Sequence, residues 1–201
     1  MRVSKEKAAE NREALLRAAS KLFREKGIDG VGVADVAREA GLTHGALYAH
    51  FSSKDALAAA AFSEGFAGNM AAMRAWAGDR SPSFADYVAA LMSERMRDRL
   101  ATGCPMAASA SEAGRQGEAF SESFARAFEE EVAMVEASLD RAILDTDRRQ
   151  MAIAAITAHI GAMAVSRAVL KAAPALSHEV LQATQEAILD NARANEQCHA
   201  L

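Results

Sequence analysis

Residues 33–54, VADVAREAGLTHGALYAHFSSK, constrain this 201-residue chain more than any other stretch, because two short helical patterns meet there across a glycine. Val33, Val36, Ala37 and Ala40 recur at helical spacing, so one side of a first helix is apolar and rests on a neighbour. Gly41 then stops it, since only glycine takes the left-handed residue past a helix end without a steric penalty. Thr43 suits the N-cap of a second helix, its hydroxyl meeting the free backbone donor at Gly45 or Ala46. Leu47 and Phe51 supply the buried edge of that second helix, and Thr43, His44, Gly45, Tyr48 and Ala49 the opposite edge. Such a hairpin is a shape that reads DNA.

The same stretch resembles the helix-turn-helix of the TetR/AcrR family of one-component bacterial repressors. The family pattern A-x-x-A-G-(V/L)-(S/T)-x-G-x-L-Y-x-(H/Y)-F-x-(S/N)-K is met in register by Ala37, Ala40, Gly41, Leu42, Thr43, Gly45, Leu47, Tyr48, His50, Phe51, Ser53 and Lys54. The resemblance implies an N-terminal three-helix reader over residues 1–54, followed by a helical effector-binding and dimerisation domain over 55–201, about nine helices in all. It also implies that Lys54 meets a phosphate. Where many members carry Thr-(Ser/Thr), this chain has Val31 and Gly32; Gly32 still suits a cap position, but it has no hydroxyl for a phosphate.

A net charge of -4 is the wrong sign for a DNA reader until it is divided. Residues 1–54 hold ten Lys and Arg against seven Asp and Glu, and residues 55–201 hold thirteen against twenty, so the sign changes where the motif ends. Lys5, Lys7 and Arg12 lie where an arm would reach phosphates, or are simply solvated. The hydrophobic share of 51% is sufficient for a core, and the polar start lacks the apolar segment of a signal peptide. With no apolar run expected to approach the ~18 residues of a membrane span, the expected location is cytoplasmic. Cys104 and Cys198 form neither a disulfide framework nor a metal spacing, so both are expected as thiols, and neither metal nor cofactor is implied.

Beyond the reader, the chain is helical throughout its pattern, so the fold class is all-α. A helix over about 8–26 braces the hairpin, and Ser52 with Asp55 suggests a capping box for a long helix running to about residue 77. A helix from Phe84 is expected to end in Arg95, Arg97 and Arg99, whose charges would complement its dipole. Cys104 falls at an N-cap before Pro105, where a thiol becomes nucleophilic; G-C-P also resembles a family subgroup with members that respond to electrophiles, oxidants or flat aromatics. Phe120, Phe124, Phe128, Val132, Val135 and Leu139 form the inner face of a further helix, and Thr146 and Ser177 are candidate caps for the last two.

These patterns lead to a sequence-specific, dimeric DNA-binding regulator, most simply a repressor released by a small apolar ligand or a thiol-reactive electrophile. Thr43 and His44 are candidates for base edges, Ala46 or Ala49 for a thymine methyl, and Tyr48, His50, Thr43 and Lys54 for phosphates, with Gly45 on the same edge. Two recognition helices are needed to span successive major grooves about 34–36 Å apart on a palindromic operator. The nearly charge-free stretch from Met151 to Ser166 and the helix after it offer the faces for a homodimer, the pairing that the resemblance implies. Phe62, Phe66, Met70 and Trp76, with Phe124, Phe128 and Met163, are candidates to line an effector cavity, joined by Cys104, Met106 and His159. No H-E-x-x-H, P-loop or G-x-S-x-G occurs, which argues against an enzyme. The alternative is a helical protein-interaction module that does not bind DNA.

Overall fold

The computed structural model describes residues 4–141 and 143–199, and every regular element among them is a helix. Ten are present: α1 (Lys5–Lys26), α2 (Val33–Glu39), α3 (His44–Tyr48), α4 (Lys54–Ala77), α5 (Phe84–Leu91), α6 (Glu94–Asp98), α7 (Pro105–Ala113), α8 (Glu118–Glu136), α9 (Asp145–Val169) and α10 (Pro174–His199). They form two compact units, Met1–Ala72 with Leu100–Ala127 and Met73–Arg99 with Phe128–Leu201.

In the first unit, α1 begins earlier than its apolar stripe suggests, because Ser4 caps it by accepting from the Lys7 N–H at 3.1 Å. Lys5 and Lys7 are therefore helical rather than part of an arm, and Lys7 is paired with Glu10. Leu15, Leu16, Ala18, Ala19, Leu22 and Phe23 are buried along one stripe, each large side chain contributing roughly 1.5–3 kcal/mol of transfer free energy. Gly27, at φ +79°, ends the helix, and the Glu112 carboxylate of α7 accepts from the next N–H, that of Ile28, at 2.9 Å. Arg24 crosses the same region, donating to the Ser20 carbonyl, the Ser20 hydroxyl and the Gly103 carbonyl. A Cβ at Gly65 of α4 would lie 2.5 Å from Ser20 Oγ, so glycine there admits the close approach of α4 to α1.

Several helix starts differ from expectation. The cap of α4 is Ser53, whose hydroxyl accepts from the Ala56 N–H at 3.0 Å, one residue later than the expected Ser52. No side chain caps α9, which begins at Asp145 after Leu144; Thr146 already lies in its first turn. α10 begins at Pro174, so Ser177 is inside the helix and does not cap it.

In the second unit, the helix expected to run from Phe84 into the arginines is broken at Ser93, which caps a separate α6 by accepting from the Met96 N–H at 3.2 Å. Arg97 is only 6% exposed and is held by Asp98, Glu94 and the Ser177 hydroxyl, so it is a buried tie and not a dipole complement on a free helix end. The Ser177 hydroxyl in turn donates a hydrogen bond to the Ser166 carbonyl at 2.7 Å, while Arg167 donates to the carbonyls of Met96 and Arg97. α6, α9 and α10 are thus locked by hydrogen bonds.

α9 corrects the membrane expectation: by length and composition it is long and apolar enough to cross a bilayer. Its inner face is packed, however, with Met151, Ala152, Ala155, Ile156, His159, Ala162, Met163 and Ser166 buried. Ser177→Ala removes the acceptor of Arg97 Nη1 and the donor to Ser166 O at a fully buried site. Urea titration is expected to show a loss of roughly 1–3 kcal/mol of stability, and an unchanged midpoint would count against the lock.

Candidate nucleic-acid interface

The turn between α2 and α3 is built by backbone bonds: Leu42 N–H donates to the Ala37 carbonyl at 2.8 Å and Gly41 N–H to the Arg38 carbonyl at 3.0 Å, with Gly41 at φ +69°. This paired closure is the Schellman arrangement, and it fixes the angle at which the chain enters α3. Thr43 then caps α3, accepting from the Ala46 N–H at 3.3 Å. Gly32 takes the N-cap of α2 without a side-chain bond; instead its own N–H donates to the Asp35 carboxylate at 3.2 Å. That bond, together with Arg38, holds the Asp35 carboxyl below its usual range.

Leu47 is fully buried and Phe51 nearly so, which seats α3 from below. The guanidinium of Arg12 lies 5.2 Å from the centre of the Phe51 ring, and Lys21 of α1 pairs with Glu39 of α2 at 2.7 Å. Every residue predicted for DNA is placed by this seat. Thr43, His44, Gly45, Tyr48 and Ala49 are exposed, while Ala46, His50 and Lys54 are half-buried. Tyr48 is 49% exposed, and its ring meets that of His44 edge to face with centroids 5.1 Å apart. Arg12, offered either to phosphates or to solvent, lies over the Phe51 ring.

The predicted effector residues divide between the units. In the first, Phe62 stacks on Phe124 at 5.5 Å and tilts against Phe120 at 5.1 Å, with Phe66 and Met70 buried. Cys104 and Met106 are fully buried there, and Cys104 Sγ accepts from the Ala107 N–H at 3.4 Å, as an N-cap should. A half-open space of about 20 Å³, lined by residues including Arg24, Phe62 and Phe120, has room for one water. Burial lowers the Arg24 pKa, and the neighbouring Cys104 opposes that shift. In the second unit His159 and Met163 are fully buried, Phe128 is half-buried, and Trp76 is 40% exposed beside Tyr87 with Arg80 over its ring.

Sequence reasoning missed Arg24, Phe120 as a partner of Phe62, and above all Glu131. The inner face of α8 is wider than the predicted stripe, and Ser123, Ala127 and Glu131 are buried on it. The signal available was register: Glu131 follows Ala127 and precedes Val135 by one helical repeat. Burial alone pushes the Glu131 carboxyl up to about 7. His159 is pulled down to about 4, first by burial and then by the charge of Arg167. The Leu91 backbone beside it favours the charged ring, but no hydrogen bond of normal geometry reaches either ring nitrogen among the described residues.

Comparison with known proteins adds three findings. Residues 15–61 match the bacterial regulatory proteins of the tetR family. Over 54 residues the chain is 46% identical to the HTH-type transcriptional repressor BepR of Brucella suis, covering 27% of this chain and 26% of that protein, and 41% identical to the regulator TtgR of Pseudomonas putida over the same shares. The chain thus matches about a quarter of the length of these curated relatives. Among solved structures, a TetR-family regulator from Cytophaga hutchinsonii superposes with a TM-score of 0.72 at 21% identity over 94% of this chain and 98% of its own. The reduced form of E. coli NemR superposes at 0.66 with 16% identity over 89% and 94%. At these identities the structural matches show the fold.

The two buried groups should be visible in stability. Glu131 titrates higher folded than unfolded, so its contribution is present at low pH and is lost as pH rises from 4.5 to about 7. His159 titrates lower when folded, so its contribution is present above 6.5 and is lost as pH falls to about 4. Between these limits the slopes oppose each other. Glu131→Gln removes one of them, so the variant should gain on the wild type by about 1.4 kcal/mol per pH unit as pH rises toward 7, measured by urea titration. A pH-independent difference would contradict the assignment.

Proposed function

We propose, for a chain that belongs to the TetR/AcrR family of bacterial transcriptional regulators, a two-fold dimeric repressor that reads a palindromic operator and is released by a small molecule or a thiol-reactive electrophile. The observation that carries this reading is the exposed edge of α3, with Thr43, His44 and Tyr48 outward above a fully buried Leu47. The half-exposed Tyr48, with a hydroxyl at its tip, is suited to a polar, grooved partner. Residues 1–54 are assigned to DNA, and residues 55–201 to the effector and to the second copy. The relatives matched in the reader are transcriptional regulators, which favours this reading over an enzyme and over an interaction module that does not bind DNA.

Support for the dimer comes from α9 and α10. Ala154, Thr157, Gly161, Ala164, Val165 and Ala168 leave an exposed, charge-free face on α9, and Leu176, Ala183 and Ala187 are exposed on α10. Small residues allow two such faces to approach closely, as a self-complementary interface requires. Support for a thiol route comes from α7: Arg24 bonds the carbonyl next to Cys104, and Glu112 bonds the backbone just after α1. A group added to the buried Cys104 would displace α7, and with it two ties to the helix that carries the reader.

Tyr48→Ala and Lys54→Ala should weaken operator binding with unchanged helix content. For Lys54→Ala the loss should be uniform across sequences, with the salt slope smaller by about 1; unaltered affinity over a gel-shift salt series would remove these residues from the interface. Treatment of the pure protein with a quinone should release DNA from the wild type and leave the Cys104→Ser complex intact. Equal release by both, or by neither, would end the thiol reading while leaving a reversible ligand open.

A further inference from the structure

We propose that His44 and Tyr48 act as one reading unit, in which the Tyr48 ring positions the His44 imidazole to donate to a guanine in each half-site. This rests on the reading above that the exposed edge of α3 enters a major groove.

His44 is the first residue of α3 and Tyr48 the last, four apart and therefore on one face of a single turn. Their rings meet edge to face, with centroids 5.1 Å apart and planes at 70°. The face itself is fixed. Thr43 sets the first turn by accepting from the Ala46 N–H, and the fully buried Leu47 keeps the short helix from rolling. Among the described residues, neither the His44 nitrogens nor the Tyr48 hydroxyl is engaged in a hydrogen bond.

The rest of the edge is small: Gly45, Ala46 and Ala49. A Cβ at Gly45 would meet no protein atom within 4 Å, and the residue has no positive φ. Neither packing nor backbone geometry therefore asks for glycine, which weakens a helix relative to alanine. Its effect is to leave room beside His44 for a surface that approaches closely from outside.

An exposed imidazole on a bare helix samples several rotamers and must give up that freedom to meet a base. The Tyr48 ring limits that freedom before DNA arrives, and does so cheaply because tyrosine has only two side-chain torsions of its own. A ring N–H held in the groove is matched by guanine, which presents N7 and O6 as acceptors, whereas adenine sets a donor beside its N7. Arginine and lysine, the commonest readers of guanine, are absent from α3, and the Thr43 oxygen already accepts the capping N–H. The Tyr48 hydroxyl is left for a phosphate, a contact that carries no sequence information. One side chain thus divides its duties, with the ring serving specificity and the oxygen serving affinity.

The test selects duplexes from a randomised library with the full-length protein, followed by gel shifts on the selected site and its single-base variants. The wild type is expected to enrich a palindrome with a G·C pair fixed in each half-site. His44→Ala should accept all four bases at that pair and keep its other preferences. Tyr48→Phe retains the ring, so it should keep the guanine preference and lose affinity by a similar factor on every sequence. Tyr48→Ala should in addition reduce the guanine preference roughly 2- to 12-fold, the worth of an aromatic pair, and combined with His44→Ala it should remove no further discrimination there. Tyr48→Leu, which keeps the bulk without the aromatic edge, should behave as Tyr48→Ala and serves where the smaller residue disturbs helix content. A preference lost equally in Tyr48→Phe, one that survives in His44→Ala or undiminished in Tyr48→Ala, or a His44-dependent pair other than G·C overturns the proposal while the groove reading stands. Enrichment of no duplex by the wild type overturns both.

Discussion

A helix of five residues has no stability of its own, because nucleation costs more than one turn of hydrogen bonds returns. α3 exists only because its surroundings hold it: Leu47 is buried beneath it, Thr43 satisfies its first turn, and the Gly41 turn delivers the chain at a fixed angle. The recognition edge therefore has no position independent of α1 and α2. Arg12 on Phe51 and Lys21 on Glu39 place it against α1; Arg24 of α1 bonds the Gly103 carbonyl just before α7, and Glu112 of α7 bonds the Ile28 N–H just after α1. Within this unit the route from Cys104 to α1 consists of direct bonds, and elastic coupling over distance need not be invoked.

The second unit uses polar groups differently. Apolar contact between α6, α9 and α10 is non-directional and would tolerate sliding, whereas the chain of Arg97 to Ser177 to Ser166 has one register. Arg167 repeats the restraint on two adjacent carbonyls. Against this satisfied network, Glu131 and His159 stand out as buried polar side chains left incomplete. One unit thus contains both polar groups that serve packing and a carboxyl that packing does not explain.

The reader was legible because its residues form an ordered motif in which each position has a local duty, from the left-handed Gly41 to the capping Thr43. All the predicted DNA residues cluster on or beside one short helix for the same reason. Helix starts farther along were less legible. Ser52 and Ser53 offer the same chemistry, and only the backbone selects Ser53; Thr146 and Ser177 are good caps in isolation, yet the chain turns helical before reaching them. Arg97 and Glu131 were misread or missed because burial of a charge depends on partners distant in sequence, such as Ser177, or on a helix face wide enough to take in a third glutamate. A one-dimensional stripe does not report that width.

The composition of α9 has a consequence for biosynthesis. During translation its sixteen uncharged residues, Met151 to Ser166, emerge as a segment that insertion machinery would treat much like a membrane span. Rescue is close behind, since only residues 170–173 separate this helix from the one that covers it. The speed with which α10 leaves the ribosome and folds back is thus a safeguard against misdelivery and clumping of the nascent chain. A tract of slow codons between the two helices would weaken that protection without altering a single amino acid.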